Sequence, residues 1–287
     1  MFFIIGNPRS GTSLLRLLLT TNPAIHVPPE CGFMAWWAKK YHDVDLANDP
    51  SRVEALTDDI VSSKKFEFWD MSREDVAAAI RQSENRDYAS LTRHLYTTHA
   101  TTAGKPEALI GDKNNFHVGH VPQLDSLQPG SKFIHIIRDG RDVAASYMAL
   151  NKAADTATSQ YYPKLAQTID RAADEWAGNI MTVRRAFAAL AQDQCIEIRY
   201  EDLVADTVSV LQRVCAFLGV AYDPHMLNYH EHNKAQGLEP AEFGAWKKRT
   251  FQAIDASAIG RHGELGEEAI ANFNMIAREP LALYGYL

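Results

Sequence analysis

The chain has 287 residues, 46% hydrophobic and 23% charged, with 29 Lys and Arg against 36 Asp and Glu for a net charge of −7. Those values describe a globular α/β-sized chain and exclude low-complexity or fibrous classes; the acidic balance disfavours a broad nucleic-acid surface but permits a local basic pocket. Cys31, Cys195 and Cys215 are widely spaced, without C-x-x-C, and no apolar run reaches ~18 residues, so no disulfide framework, zinc site, membrane span or signal peptide is read and a reducing, cytoplasmic setting is expected.

Taken in chain order, Phe2–Ile5 is short and apolar and ends at Gly6 and Pro8, which predicts a buried strand. Residues 12–21 then read as a helix stopped before Pro23. Residues 40–107 read as two or three polar-faced helices with no strand, a helical insertion over the open edge of a core. Further strands are predicted at 108–111, 132–137 ("KFIHII") and 195–200 ("CIEIRY"). Helices alternate with them, over 143–150, over 165–191 with an apolar stripe through Ala173, Trp176, Ile180 and Val183, and over 207–218 between Asp206 as N-cap and Gly219. Residues 223–262 are rich in His, Gly and Lys without clear periodicity and read as a lid. Strand–helix alternation predicts a single α/β domain over 1–287, a P-loop-like parallel sheet flanked by helices.

The segment "GNPRSGTS", Gly6 to Ser13, has the outline of a phosphate loop. Backbone N–H groups and a helix N-terminus converge there on an anion. Pro8 and Gly11 shape the turn, Ser10, Thr12 and Ser13 add hydroxyl donors, and Arg9 adds a planar, charged fork. A P-loop kinase or NTPase would carry a lysine where Thr12 stands and would need a magnesium-holding aspartate. Asp139 follows a strand, but between Arg138 and Gly140-Arg141 it is poorly placed for a divalent cation. Arg138, at a strand end, and Ser146, on the next helix, can together grip a second phosphate.

These residues resemble a known family. "GNPRSGTSLLRLLL" is similar to the 5′-phosphosulfate loop, and "IHIIRDGRDVAASYMAL" to the 3′-phosphate motif, of sulfotransferases that use 3′-phosphoadenosine 5′-phosphosulfate (PAPS). The match is nearest the tyrosylprotein type, whose arginine loop is followed about twenty residues later by a catalytic glutamate; Glu30 lies 21 residues after Arg9. The resemblance implies Glu30 as general base, and Lys113, 25 residues before Arg138, with Arg9 as stabilisers of the leaving oxygen. It implies PAPS as donor, 3′,5′-adenosine bisphosphate as product, and no metal. His26 and His117 stay as rival bases, since the small-molecule branch uses a histidine. Tyr200, in "RYEDLV", is expected to frame the nucleotide, and Lys247, Lys248 or Arg249 in the lid to supply a third 3′-phosphate contact. The tail "LALYGYL" resembles the family's C-terminal end, so a complete chain is expected.

Acceptor recognition is expected in the insertion, with two or three of Trp36, Trp37, Phe66, Phe68, Trp69, Tyr161 and Tyr162 in the site. The acceptor is read as a small alcohol, phenol or amino-alcohol metabolite, not nucleic acid and not a membrane; the oligomeric state stays open. A kinase or NTPase, and a non-catalytic nucleotide-binding protein, are the alternatives.

Overall fold

The computed structural model describes residues 1–154 and 159–287. Its centre is one sheet of five strands: β1 (Phe2–Ile5), β2 (Ile25–His26), β3 (Leu109–Lys113), β4 (Lys132–Ile137) and β5 (Cys195–Arg199), in the order β2-β3-β1-β4-β5. Every pairing is parallel, with β1 in the middle; Ile4 pairs in register with Lys113 on one side and with Ile134 on the other. All four residues of β1 are buried, as expected of a strand covered on both faces. Phe2 and Ile4 join the core formed with the helix Thr12–Thr21, while Phe3 and Ile5 join the core under the insertion, the alternation a strand imposes. The chain leaves β1 towards β2 but later passes it to reach β4. The strand order therefore reverses beside β1, and the crevice at the strands' C-terminal ends is the natural ligand site.

The insertion is helical, with helices Pro50–Val61, Arg73–Gln82 and Tyr88–Thr102. Each begins at a side-chain cap, Asp49, Ser72 (with Asp75, a capping box) and Asp87. Leu56, Ile60, Val76, Ile80, Leu91 and Leu95 fasten it to Phe3, Ile5 and Phe133 of the sheet.

Several boundaries differ from those predicted. β2 went unread because two residues carry no periodicity. β3 runs two residues further, so Asp112 and Lys113 belong to the strand instead of following it. The helix after β4 spans Gly140–Ala154, beginning where a Cβ on Gly140 would sit 2.5 Å from the Trp176 ring. The helix read over 165–191 is Ile169–Phe187, and Tyr200 opens a short helix, Tyr200–Ala205, instead of ending β5. The region read as an aperiodic lid is a chain of short turns and helices from Pro224 to Glu264. Among the described residues no helix is long and apolar enough to cross a membrane.

Candidate active site

β1 ends in a tight turn in which the Ser10 amide donates to the Asn7 carbonyl at 3.1 Å. Arg9 and Gly11 both take left-handed backbone, φ 71° and 94°. Strain of this kind at a non-glycine residue persists where the surroundings over-determine it, as at ligand-binding turns. The turn aims Arg9 across the crevice, where its Nε donates to Ser146 Oγ at 3.1 Å. Arg138, immediately after β4, donates through one terminal nitrogen to the Arg9 carbonyl at 3.0 Å and through the other to the Ala258 carbonyl. Its guanidinium carbon lies 4.9 Å from the Tyr200 ring centroid. Burial, followed by the neighbouring Arg138 charge, lowers the Arg9 pKa to about 10. Two guanidiniums pressed together in a buried place favour an anion between them. Arg138 Nε and the buried Ser10 hydroxyl find no partner among the described residues; of the two, only Arg138 lines the cavity in this crevice.

Opposite this pair stands Glu30. Lys113 Nζ pairs with its Oε2 and Lys65 Nζ with its Oε1. Burial pushes the carboxyl up, but Lys113, Lys65 and Lys247 together hold it well below the usual range. Behind it lies a second buried group: Lys247 meets Glu239 at 2.5 Å, and Arg16 meets Glu239 at 3.2 Å. Burial lowers Lys247 to about 8, against the pull of Glu239. Glu239 is held at about 2 because Lys247 and Arg16 outweigh its burial.

One cavity of about 800 Å³ joins these parts. Arg9, Gly11, Thr12, Ser13, Glu30, Lys113, Arg138, Ser146 and Tyr200 all line it, as do Lys247, Lys248 and Arg249; Ser10 is buried and does not. Six lysines and four arginines face three carboxylates across this space. In a chain of net charge −7 that concentration marks a site for an anion with several charges. Thr12, at the position of a kinase's lysine, donates to Asn115 Oδ1 at 3.2 Å. Asp139 is occupied by Arg141, in contacts of 2.7 and 3.0 Å.

The rival bases lie elsewhere. His117 is fully buried with Nε2 at 2.7 Å from Asp112 Oδ2, and His26 pairs with His99 at 2.7 Å; neither lines the cavity. Of the seven aromatic residues singled out, Tyr161 and Tyr162 line it. Phe68 stands one ring behind, with centroids 5.2 Å from Tyr161 and 5.0 Å from Phe243, while Phe66 and Trp69 are core. Lys65, Glu239, Phe243 and Trp246 were not read from the sequence. Arg16 carried a signal, a lone charge in the apolar run "LLRLLL", that could have marked a buried ion pair.

A family model described as the sulfotransferase family matches residues 2–224. The chain belongs to the sulfotransferase family. A putative protein-tyrosine sulfotransferase of Caenorhabditis briggsae is 25% identical over 254 residues, covering 85% of this chain and 75% of that one. The protein-tyrosine sulfotransferase of Drosophila melanogaster is 20% identical over all of this chain and 51% of its own. This sulfotransferase therefore spans between half and three quarters of the length of those two relatives. Among solved structures, the sulfotransferase domain of the Synechococcus PCC 7002 olefin synthase superposes with a TM-score of 0.64 at 21% identity, covering 97% of this chain and 93% of that one. A mouse sulfotransferase, SULT7A1, complexed with PAP, gives 0.53 at 13% identity over 98% and 83%. The five-stranded parallel sheet flanked by helices is the fold of those structures.

Proposed function

We propose that this sulfotransferase moves a sulfuryl group from PAPS to a hydroxyl, or an amine, of a small acceptor. The observation that carries the reading is the cavity itself, where Arg9 with its loop, Arg138, and Ser146, which accepts from Arg9, line one space with the Glu30–Lys113 pair. The donor, when bound, supplies an activated sulfuryl group and two phosphate groups, and the residues fit it. The unpartnered Nε of Arg138, a residue that lines the cavity, supplies a free donor. Arg9, Thr12 and Ser13 hold the 5′ end, Arg138 and Ser146 the 3′-phosphate, and Tyr200 frames the nucleotide. Lys248 and Arg249, on the same wall, are the lid cations left to join them; Lys247 is held by Glu239, and Arg249 would share its charge with Asp255, 3.0 Å away.

Glu30, kept ionised, can take the acceptor's proton; a loose transfer needs that proton late, so a weak base suffices. Lys113 and Arg9 neutralise charge on the leaving oxygen. Tyr161, Tyr162, Phe243 and Trp246 wall the remaining space, which suits a small alcohol or phenol. A tyrosyl side chain is the second reading, favoured by the names of the relatives.

Calorimetry with 3′,5′-adenosine bisphosphate, beside ATP with magnesium, tests the reading. Binding of the bisphosphate, weakened by about tenfold or more in Arg138→Ala through loss of a charged hydrogen bond, is the expected result. Binding of ATP with magnesium alone would overturn it in favour of a divergent kinase.

A further inference from the structure

Both oxygens of Glu30 are taken, Oε2 by Lys113 and Oε1 by Lys65. Each oxygen keeps a second lone pair, but a hydroxyl that reaches either one must share it with an ammonium, which crowds it and weakens it as a base. The two lysines are held differently. Lys113 is the last residue of β3, in register with Ile4, and its side chain is 1% exposed. Lys65 sits on the insertion, just before the turn Phe66–Trp69, with left-handed φ of 72° and a side chain 19% exposed. Besides Glu30, its contact among the described residues is the face of the Phe243 ring, 5.4 Å from Nζ to the centroid. Lys65 is the partner that can leave. Its place is between the base and a ring of the cavity wall.

We propose that Lys65 is a positioning residue that guards Glu30. It keeps the carboxylate from activating water while the donor is bound alone, and it yields Oε1 when an acceptor enters. The inference rests on the sulfuryl-transfer reading above. Without the guard, a water oxygen bonds to the sulfur and the bond from sulfur to the phosphate oxygen breaks. The electron pair leaves on 3′,5′-adenosine bisphosphate, and the water's proton passes to Glu30 and then to solvent. The products are the bisphosphate and sulfate.

The test needs no acceptor. The full chain and its Lys65→Met, Lys65→Arg and Lys65→Met/Glu30→Gln variants are given PAPS in water, and released bisphosphate is measured by chromatography. Bisphosphate affinity is measured in parallel by calorimetry. Lys65→Met should hydrolyse PAPS about fivefold faster than wild type, with bisphosphate affinity within about twofold. Lys65→Arg should restore the wild-type rate, and the double variant should lose the gain. The acid limb of hydrolysis should move to higher pH in Lys65→Met, because Lys113 and Lys247 alone then face Glu30, with Glu239 unchanged behind them. Hydrolysis no faster in Lys65→Met at intact affinity would overturn the guard, and so would loss of affinity, which would make Lys65 part of the donor site. If wild type itself failed to bind the bisphosphate, the sulfuryl-transfer reading would fall, and the guard with it, by a measurement independent of Lys65.

Discussion

A Cβ on Gly11 would stand 2.5 Å from Cδ2 of Tyr200, on backbone at φ 94° that side chains rarely adopt. Tyr200 cannot retreat freely, because the face of its ring carries the Arg138 guanidinium. Gly11→Ala should therefore cost about 2–3 kcal/mol in stability from strain and displaced packing. It should also weaken bisphosphate binding by roughly tenfold as Arg138 shifts, about 1.4 kcal/mol of affinity. Gly104 is the control: its φ is 76°, but an added Cβ meets nothing within 4 Å. Gly104→Ala should lose only about 1 kcal/mol and leave binding unchanged. Urea unfolding and calorimetry on the two variants separate strain from displacement. Equal losses of affinity would mean that Tyr200 does not brace Arg138.

One carboxylate gathers the far end of the lid onto the helix after β4. Asp142, in the first turn of the helix after β4, accepts from the Gly260 amide at 2.9 Å and from the amide and Nδ1 of His262 at 2.8 Å each. It also faces Arg138 at 3.7 Å, so the chain segment that receives Arg138 at Ala258 and the arginine itself share an anchor. Asp142→Asn puts an amide donor against these N–H groups and removes a buried charge, and should cost about 3 kcal/mol. Hydrogen exchange should rise at Gly260 and His262 before it rises in β1 or β4. Uniform exchange across the sheet and lid would show that other contacts hold the lid. This level also divides what the sequence shows from what it hides. Phe2–Ile5, Thr12–Thr21, Lys132–Ile137 and Thr207–Leu218 were legible with their limits, because local apolar pattern and punctuation set them. The short turns of the lid were not, because they are held by partners far along the chain, such as Arg16 with Glu239, 223 residues apart. Lys65 was hidden for the same reason, since its meeting with Glu30 depends on how the insertion docks. Arg9, Arg138 and Ser146 could be read because glycine spacing and strand ends announce them locally; their convergence in one cavity could not.

Across the whole molecule, buried groups with lowered pKa set how the fold meets acid. Burial holds His26 at about 3, helped by His99, and His99 at about 4, helped by Arg16, against an ordinary value of 6.5. Glu239 sits at about 2 against 4.5 through Lys247 and Arg16 despite its burial, and Glu30 lies well below 4.5 through its lysines. Each group binds protons more readily in the unfolded chain, so stability falls with pH. The histidines' contribution is complete above about pH 6.5 and drains as pH falls towards 4 and 3. That of Glu239 is complete above about pH 4.5 and drains towards 2. Two separate windows follow. Wild type should lose at least ~2 kcal/mol between pH 6.5 and 4, seen as a falling urea midpoint. His26→Asn/His99→Asn should remove most of that slope while starting from a lower plateau. Glu239→Gln should leave the upper window intact and flatten the lower one, with a loss of about 3–5 kcal/mol at neutral pH because Arg16 and Lys247 are stranded. A midpoint that holds steady from pH 7 to 4 in wild type would show that the His26–His99 pair takes up protons without opposing the fold. A Glu239→Gln variant as stable as wild type at pH 7 would show that the buried ion group shapes the cavity without stabilising the chain.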